Sequence, residues 1–289
     1  MFIGRDRELK EIKYHLSTPG FECIFIHGQR HMGKTSLIDR IINNYGSKVI
    51  RYECILSYAN LDNLSKCVTD YFLEDIENYV FDSYKSLFRY VFDKSTEESF
   101  LLLLDNINAL GCADLIQEFI IKYRNRSKMK LVMSDCSFTD YLICLDELDF
   151  ETASQFYPEY SLSDRLKIYS IFGGNPFFNS LTDSDKTADE NIIELAVKKD
   201  SYLEYEVYII LQHESRNVSV MNSILSFLAL GNRRYSEIEE YFSDYRVDYY
   251  LKKLTEMEII GKSKIGYFIK NKLFSFYYHY VFNNLVLRN

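Results

Sequence analysis

Gly28-Gln29-Arg30-His31-Met32-Gly33-Lys34-Thr35 sets two glycines ahead of a lysine and a hydroxyl, in the spacing G-x-x-x-x-G-K-[ST]. Such a loop wraps phosphate groups. Gly28 and Gly33 permit a tight turn whose backbone N–H groups point inward at phosphate oxygens, and a following helix N-terminus adds partial positive charge. Lys34 would reach the β- and γ-phosphates of a nucleotide, and the Thr35 hydroxyl would hold Mg²⁺. Gln29, Arg30, His31, Met32 and Ser36 complete the expected binding stretch. The elements needed to position it flank it directly. Phe21, Ile24, Phe25 and Ile26 read as a strand, and Leu37, Ile38, Ile41 and Ile42 share one helical face behind the loop.

A second acidic position follows from the run Ser99–Asn108, SFLLLLDNIN. Four leucines ending in an aspartate have the pattern of a buried parallel strand with a carboxylate at its C-terminal tip. Ligands collect at that edge of open α/β sheets. Asp105 is therefore the expected second Mg²⁺ ligand beside Thr35. Lys48–Ile55, Lys130–Met133 and Asp140–Leu145 read as further strands. Leu61–Tyr79, Ser83–Phe92 and Cys112–Tyr123 read as helices.

A chain of 289 residues with 47% hydrophobic content suggests about two domains with substantial cores. Its six cysteines lie within apolar stretches without a C-x-x-C pair, as buried thiols of a reducing compartment do. The N-terminus lacks the basic region and apolar core of a signal peptide, and no apolar run approaches a membrane span. The expectation is a cytoplasmic protein without a membrane. The net charge of −8 argues against a general nucleic-acid coat and is unevenly placed. Fourteen acidic residues face five basic ones between Asp146 and Glu206, whereas from Val220 onward ten basic residues face seven acidic ones.

Several motifs in series carry a family resemblance. Phe2-Ile3-Gly4-Arg5-Asp6-Arg7-Glu8-Leu9 resembles the F-[VI]-G-R-[ED]-x-E-L arm of the STAND and archaeal-type ATPases, a branch of the AAA+ P-loop proteins. Leu148 to Phe178, ending in Gly173-Gly174-Asn175-Pro176-Phe177-Phe178, resembles the lid of the same group. The resemblance implies that Gly4 and Arg5 border an adenine base, that Pro176 packs against it, and that ATP or ADP with Mg²⁺ is the ligand. GTP is not excluded, although no guanine-reading N/T-K-x-D motif is present. Ser134 matches by position the sensor that feels the γ-phosphate, a role that competes with that of an ordinary strand-end serine.

The chain departs from the family at Asn106. Members usually place a glutamate after the strand-end aspartate to polarise the attacking water, and an asparagine cannot accept that proton. Lys34, Asp105, Asn106 and Asp135 form the candidate catalytic set, with Asp135 the nearest displaced base. Turnover is expected to be slow. Arg124 and Arg126 read either as fingers toward a neighbouring subunit or as solvated turn residues.

Val220–Leu230, Tyr235–Phe242 and Arg246–Glu258 are three short helical patterns, and Ile259–Ile269 reads as a hairpin. Three helices and a hairpin make a winged helix-turn-helix. Lys252, Lys253, Lys262 and Lys264 would give it a thin DNA-facing surface, while the resemblance implies an internal clamp. The tail from Leu273 to Arg288 resembles the aromatic helix that begins the next module in longer relatives.

The expected architecture is thus α/β: a P-loop parallel-sheet nucleotide-binding domain over 1–147, a helical lid over 148–212, and a winged-helix domain over 213–289. The expected function is a nucleotide-dependent switch ATPase acting on an effector in trans or through self-association. The alternative is an ATP-regulated DNA-binding protein.

Overall fold

Glu22–His27 (β1), Val49–Glu53 (β2), Leu101–Asp105 (β3), Lys130–Ser134 (β4) and Tyr141–Cys144 (β5) pair in parallel as one sheet, in the order β2-β3-β4-β1-β5. The computed structural model describes residues 2–45, 48–72, 79–135, 141–214 and 217–286. Its residues fall into two compact units, Phe2–Asp146 and the chain from Glu147 onward.

The first unit is built by alternation. Successive side chains of a strand point to opposite faces, and a sheet covered on both faces needs apolar residues at nearly every position. Ile24, Ile26, Leu101, Leu103 and Val132 join Leu37, Ile38 and Ile41 of Lys34–Tyr45 (α2) and Ile12 of Asp6–Ser17 (α1). Phe25, Leu102, Leu104, Leu131 and Met133 face the opposite core. That core is closed by Asn60–Phe72 (α3), Tyr84–Glu97 (α4) and Ala113–Tyr123 (α5). Strand order reverses at β1, which has β4 on one side and β5 on the other. A crevice opens at such a switch point, beyond the C-terminal ends of the strands.

Local expectations hold with adjusted ends. Helix α3 is described as far as Phe72, and Tyr79 is not helical; residues 73–78, within the expected Leu61–Tyr79 helix, lie outside the described residues. Cys136 and Asp140 also lie outside them. Ser83 is the N-cap of α4, in a capping box with Ser86, so the helix begins one residue later than its pattern and runs on to Glu97.

The second unit is helical, with one hairpin. It comprises Phe150–Ala153 (α6), Leu162–Phe172 (α7), Pro176–Ser180 (α8), Ala188–Ile192 (α9), Tyr202–Glu214 (α10), Val218–Ala229 (α11), Tyr235–Tyr241 (α12) and Val247–Glu256 (α13). The antiparallel strands Ile260–Lys262 (β6) and Tyr267–Ile269 (β7) follow, with Arg233 bridged to Tyr267. Lys272–Phe276 (α14) and Asn283–Val286 (α15) are joined through π-helical turns at Tyr277–Phe282. One hydrophobic core runs through the described residues of this unit, from Tyr157 and Phe172 through Leu211 and Ile224 to Tyr278 and Val281.

The Gly173-Gly174-Asn175-Pro176 turn has a packing cause. Leu148 donates its N–H to the Gly174 carbonyl, and a Cβ on Gly174 would lie 1.8 Å from the Leu148 oxygen. Asn175 accepts from the N–H groups of Phe177 and Phe178 as N-cap, and Pro176 fills the first position of α8, where no N–H is required. Ser161 caps α7, its hydroxyl accepting the Asp164 N–H.

Candidate nucleotide-binding site

Strand β4 pairs with both β1 and β3, which brings the ends of these three strands together at one edge of the sheet. The loop leaving β1 turns there into α2. Leu145 donates to the His27 carbonyl at 2.7 Å, so the end of β5 runs against the loop, and a Cβ on Gly28 would sit 2.8 Å from the Leu145 oxygen. No side chain fits. Gly33 is required for a different reason: it has open space before it but a φ of +88°, a region L-residues avoid. His31 accepts the same left-handed region at φ 69°, an uncommon conformation for a residue with a side chain.

Within the loop, Met32 donates to the Gln29 carbonyl at 3.3 Å and buries its side chain in the α1–α2 core. Arg30 Nε bonds His31 Nε2 at 3.2 Å on the surface, and Ser36 is exposed in the first turn of α2. Lys34 Nζ donates to the carbonyls of Gly28 at 2.7 Å and Gln29 at 3.1 Å, and pairs with Asp135 Oδ1 at 3.2 Å. The lysine is thus folded back over its own loop and neutralised by the residue just beyond β4.

Asp105, only 4% exposed, ends β3 beside this lysine loop. Its Oδ2 accepts from Thr35 Oγ1 at 2.9 Å, and its Oδ1 accepts from the Ser134 hydroxyl. Ser134 Oγ in turn accepts from the Asn106 backbone N–H at 2.7 Å. The buried carboxylate is satisfied by hydroxyl groups from two different elements, as burial of a charge requires. Lys34, Thr35, Asp105, Asn106, Ser134 and Asp135 therefore meet at one edge.

Two expected residues take unexpected positions. Asn106 lies at φ 57° and donates its amide to the Cys54 carbonyl at 3.1 Å, tying the end of β3 to the residue after β2. Arg5 is buried, with its guanidinium donating to the Met32 carbonyl at 3.0 Å and the Asp146 carbonyl at 2.6 Å, and to Glu8 at 3.3 Å. It braces the back of the loop. Gly4, beside it, has a φ of +73°. Pro176 belongs to the second unit.

Sequence reasoning missed the Cys54 carbonyl and the Lys34–Asp135 pair, since neither leaves a signal in spacing. Burial holds the nearby thiols protonated. Burial, with the Cys112 and Asp105 charges adding, pushes Cys54 up to about 12, and burial pushes Cys112 up to about 11.

The donor set suits a small, hard cation. A hydroxyl oxygen and a carboxylate are the kind of pair that holds Mg²⁺ alongside water and substrate phosphates. Among the described residues, no three His, Cys, Asp or Glu side chains cluster as an all-protein metal cage.

No family model matches the chain. The solved Walker-type ATPase Paby2304 of Pyrococcus abyssi is similar over 96% of both chains, with a TM-score of 0.68 and 16% identity. The chain has the fold of a P-loop ATPase. A STAND protein with a tetratricopeptide-repeat sensor from Pyrococcus horikoshii (TM-score 0.47, 15% identity, 95% of this chain and 42% of that one) is a looser likeness. So is Cdc6p of Pyrobaculum aerophilum (TM-score 0.46, 13% identity, 98% and 94%). By sequence, the uncharacterised protein MJECL04 of Methanocaldococcus jannaschii is 26% identical over 99% of this chain and 70% of its own length. Among the described residues, no helix is long and apolar enough to cross a membrane.

Proposed function

We propose that the chain binds ATP and ADP with Mg²⁺ and acts as a nucleotide-dependent switch. The observation that carries this reading is the convergence of Lys34, Thr35, Asp105 and Ser134 at one sheet edge, with Thr35 and Asp105 already in contact. Loop N–H groups and Lys34 would receive the phosphates, while Thr35 and Asp105 would hold the cation. The cation, when bound, supplies charge neutralisation at the phosphates.

Turnover is slow in this reading. Asn106 stands where the family resemblance leads one to expect a glutamate, and its amide is committed to the Cys54 carbonyl. Asp135 pairs with the lysine at 3.2 Å, and stays so until a phosphate draws Lys34 away. It then becomes available as the base for an attacking water. A site that binds firmly and fires rarely reports nucleotide state rather than spending it.

The elements α11–α13 with β6 and β7 support a winged-helix module, which we assign to coupling that state to an effector in trans or to other copies of the chain in the cytoplasm. Direct DNA contact has less support. Lys252 lies 3.8 Å from Glu256, and Lys262 sits over the Tyr267 ring at 5.3 Å.

The decisive experiment is titration of fluorescent ATP into wild type and Lys34→Ala with Mg²⁺ present. Loss of binding in the variant is expected. Equal affinity in both would end this reading.

A further inference from the structure

Helix α10 carries tyrosines at a three-residue interval that the core does not use. Tyr202, Tyr205 and Tyr208 are 51%, 60% and 50% exposed, and none has a ring or side-chain hydrogen-bond partner among the described residues. They border a cleft of about 520 Å³ that lies wholly within the second unit. Its inner wall includes Tyr277, which is buried, and Phe282, with ring centroids 6.0 Å apart.

The charge in this cleft is of one sign. Asp200 and Glu204 line it, and among the described residues no lysine, arginine or histidine does. Glu204 Oε2 accepts the Asp200 N–H at 2.8 Å, which fixes the carboxylate at the start of α10. Burial, reinforced by the Glu204 charge, raises Tyr277 above its ordinary range. The surrounding sequence is the acidic part of the chain, fourteen acidic against five basic residues between Asp146 and Glu206.

We propose that this cleft binds a basic segment of a partner polypeptide, seating an arginine or lysine side chain against the tyrosine rings beside Asp200 and Glu204. Aromatic faces carry negative potential and attract cations, and carboxylates beside them strengthen that attraction. Tyrosine is also the side chain that protein interfaces favour, since it gives large contact area for little lost freedom. The volume is that of a pocket for a ligand of many atoms. It exceeds what a lone ammonium ion fills, so a peptide segment suits it better than a small organic cation. The proposal does not depend on the nucleotide site.

The test uses the full chain and a fluorescein-labelled hexa-arginine peptide, read by anisotropy at physiological salt, with hexaglutamate as control. Binding of the arginine peptide alone is expected. Tyr205→Ala should weaken it about five-fold or more, and Tyr205→Phe, which keeps the ring, should not. Glu204→Gln keeps the bond to Asp200 but removes the charge, and should weaken binding and flatten its salt dependence. Glu240→Gln, an exposed acid on α12, should change nothing. Thermal melts establish that each variant is folded, and Lys34→Ala should bind the peptide normally.

Equal binding by wild type, Tyr205→Ala and Glu204→Gln would overturn the proposal. So would an equal loss in Glu240→Gln, which would indicate diffuse attraction. Complete displacement by millimolar tetramethylammonium would make this a small-cation site instead. A wild-type dimer that Tyr205→Ala dissociates would mean that another copy of the chain fills the cleft.

Discussion

Thr35 Oγ1 donates to Asp105 Oδ2 across 2.9 Å, so the first turn of α2 and the tip of β3 share one carboxylate. A cation entering here would take the oxygens of both groups. Thr35→Ala removes one ligand and should lower Mg²⁺-dependent ATP affinity about ten-fold or more, as loss of an interaction with a charged group does. Thr35→Ser should retain affinity. ADP binding without Mg²⁺ should change little in either variant. Calorimetric titration with and without Mg²⁺ gives the comparison.

The Lys34–Asp135 pair competes with any phosphate for the lysine. Asp135→Asn removes the competitor and should raise ATP affinity. Asp135 is partly exposed, so solvent screens the pair and the gain should be about five-fold at most. High salt should shrink the difference between wild type and variant. Hydrolysis should fall in the same variant if Asp135 serves as the base. An unchanged rate would remove it from that role.

Gly174 and Gly33 should fail in different ways. Gly174→Ala drives a Cβ into the Leu148 backbone and should destabilise the second unit by about 3 kcal/mol or more, seen as an early thermal transition. Gly33→Ala meets no atom but must hold φ at +88°, a strain of about 1–2 kcal/mol. Its signature should be weakened nucleotide binding with the second unit's melting unchanged.

The Cys54 thiol gives a pH dependence of defined sign. Folded Cys54 keeps its proton to about pH 12, against an ordinary value of 9.0. Below pH 9 both states are protonated, and the stabilisation is fully present. Above it the unfolded chain releases its proton first, so stability falls as pH rises toward 12. Urea unfolding at pH 8 and pH 10.5 should show that fall, and Cys54→Ala should reduce it. Alkylation of native Cys54 at pH 8 should be slow for the same reason.

The fold's core and the glycine-bounded loop were legible because both are written in local spacing. Leu101–Leu104 and the Gly28–Thr35 loop need no distant partner to be recognised, and Asp105 followed from its strand. The sheet order was not legible, because nothing within β1 states that β4 and β5 are its neighbours. Asn106 illustrates the limit most clearly. Its type indicated a missing base, but its contact is a carbonyl on Cys54, far away in sequence. The π-helical turns at Ile193–Val197 and Tyr277–Phe282 were also invisible, since one added residue per turn leaves an apolar pattern nearly unchanged.

Arg5 has a mechanical consequence. Its flat guanidinium is bolted to the Met32 carbonyl within the loop and to the carbonyl of Asp146, the last residue before the second unit begins. A single nitrogen, Nη2, makes both bonds, so the two carbonyls share one anchor point. Any ligand that reshapes the loop enough to shift Met32 must therefore either pull on the outgoing chain at Asp146 or break one of the two bonds. The arginine behaves as a rivet: with both carbonyls held on one nitrogen, neither shifts far without disturbing the other.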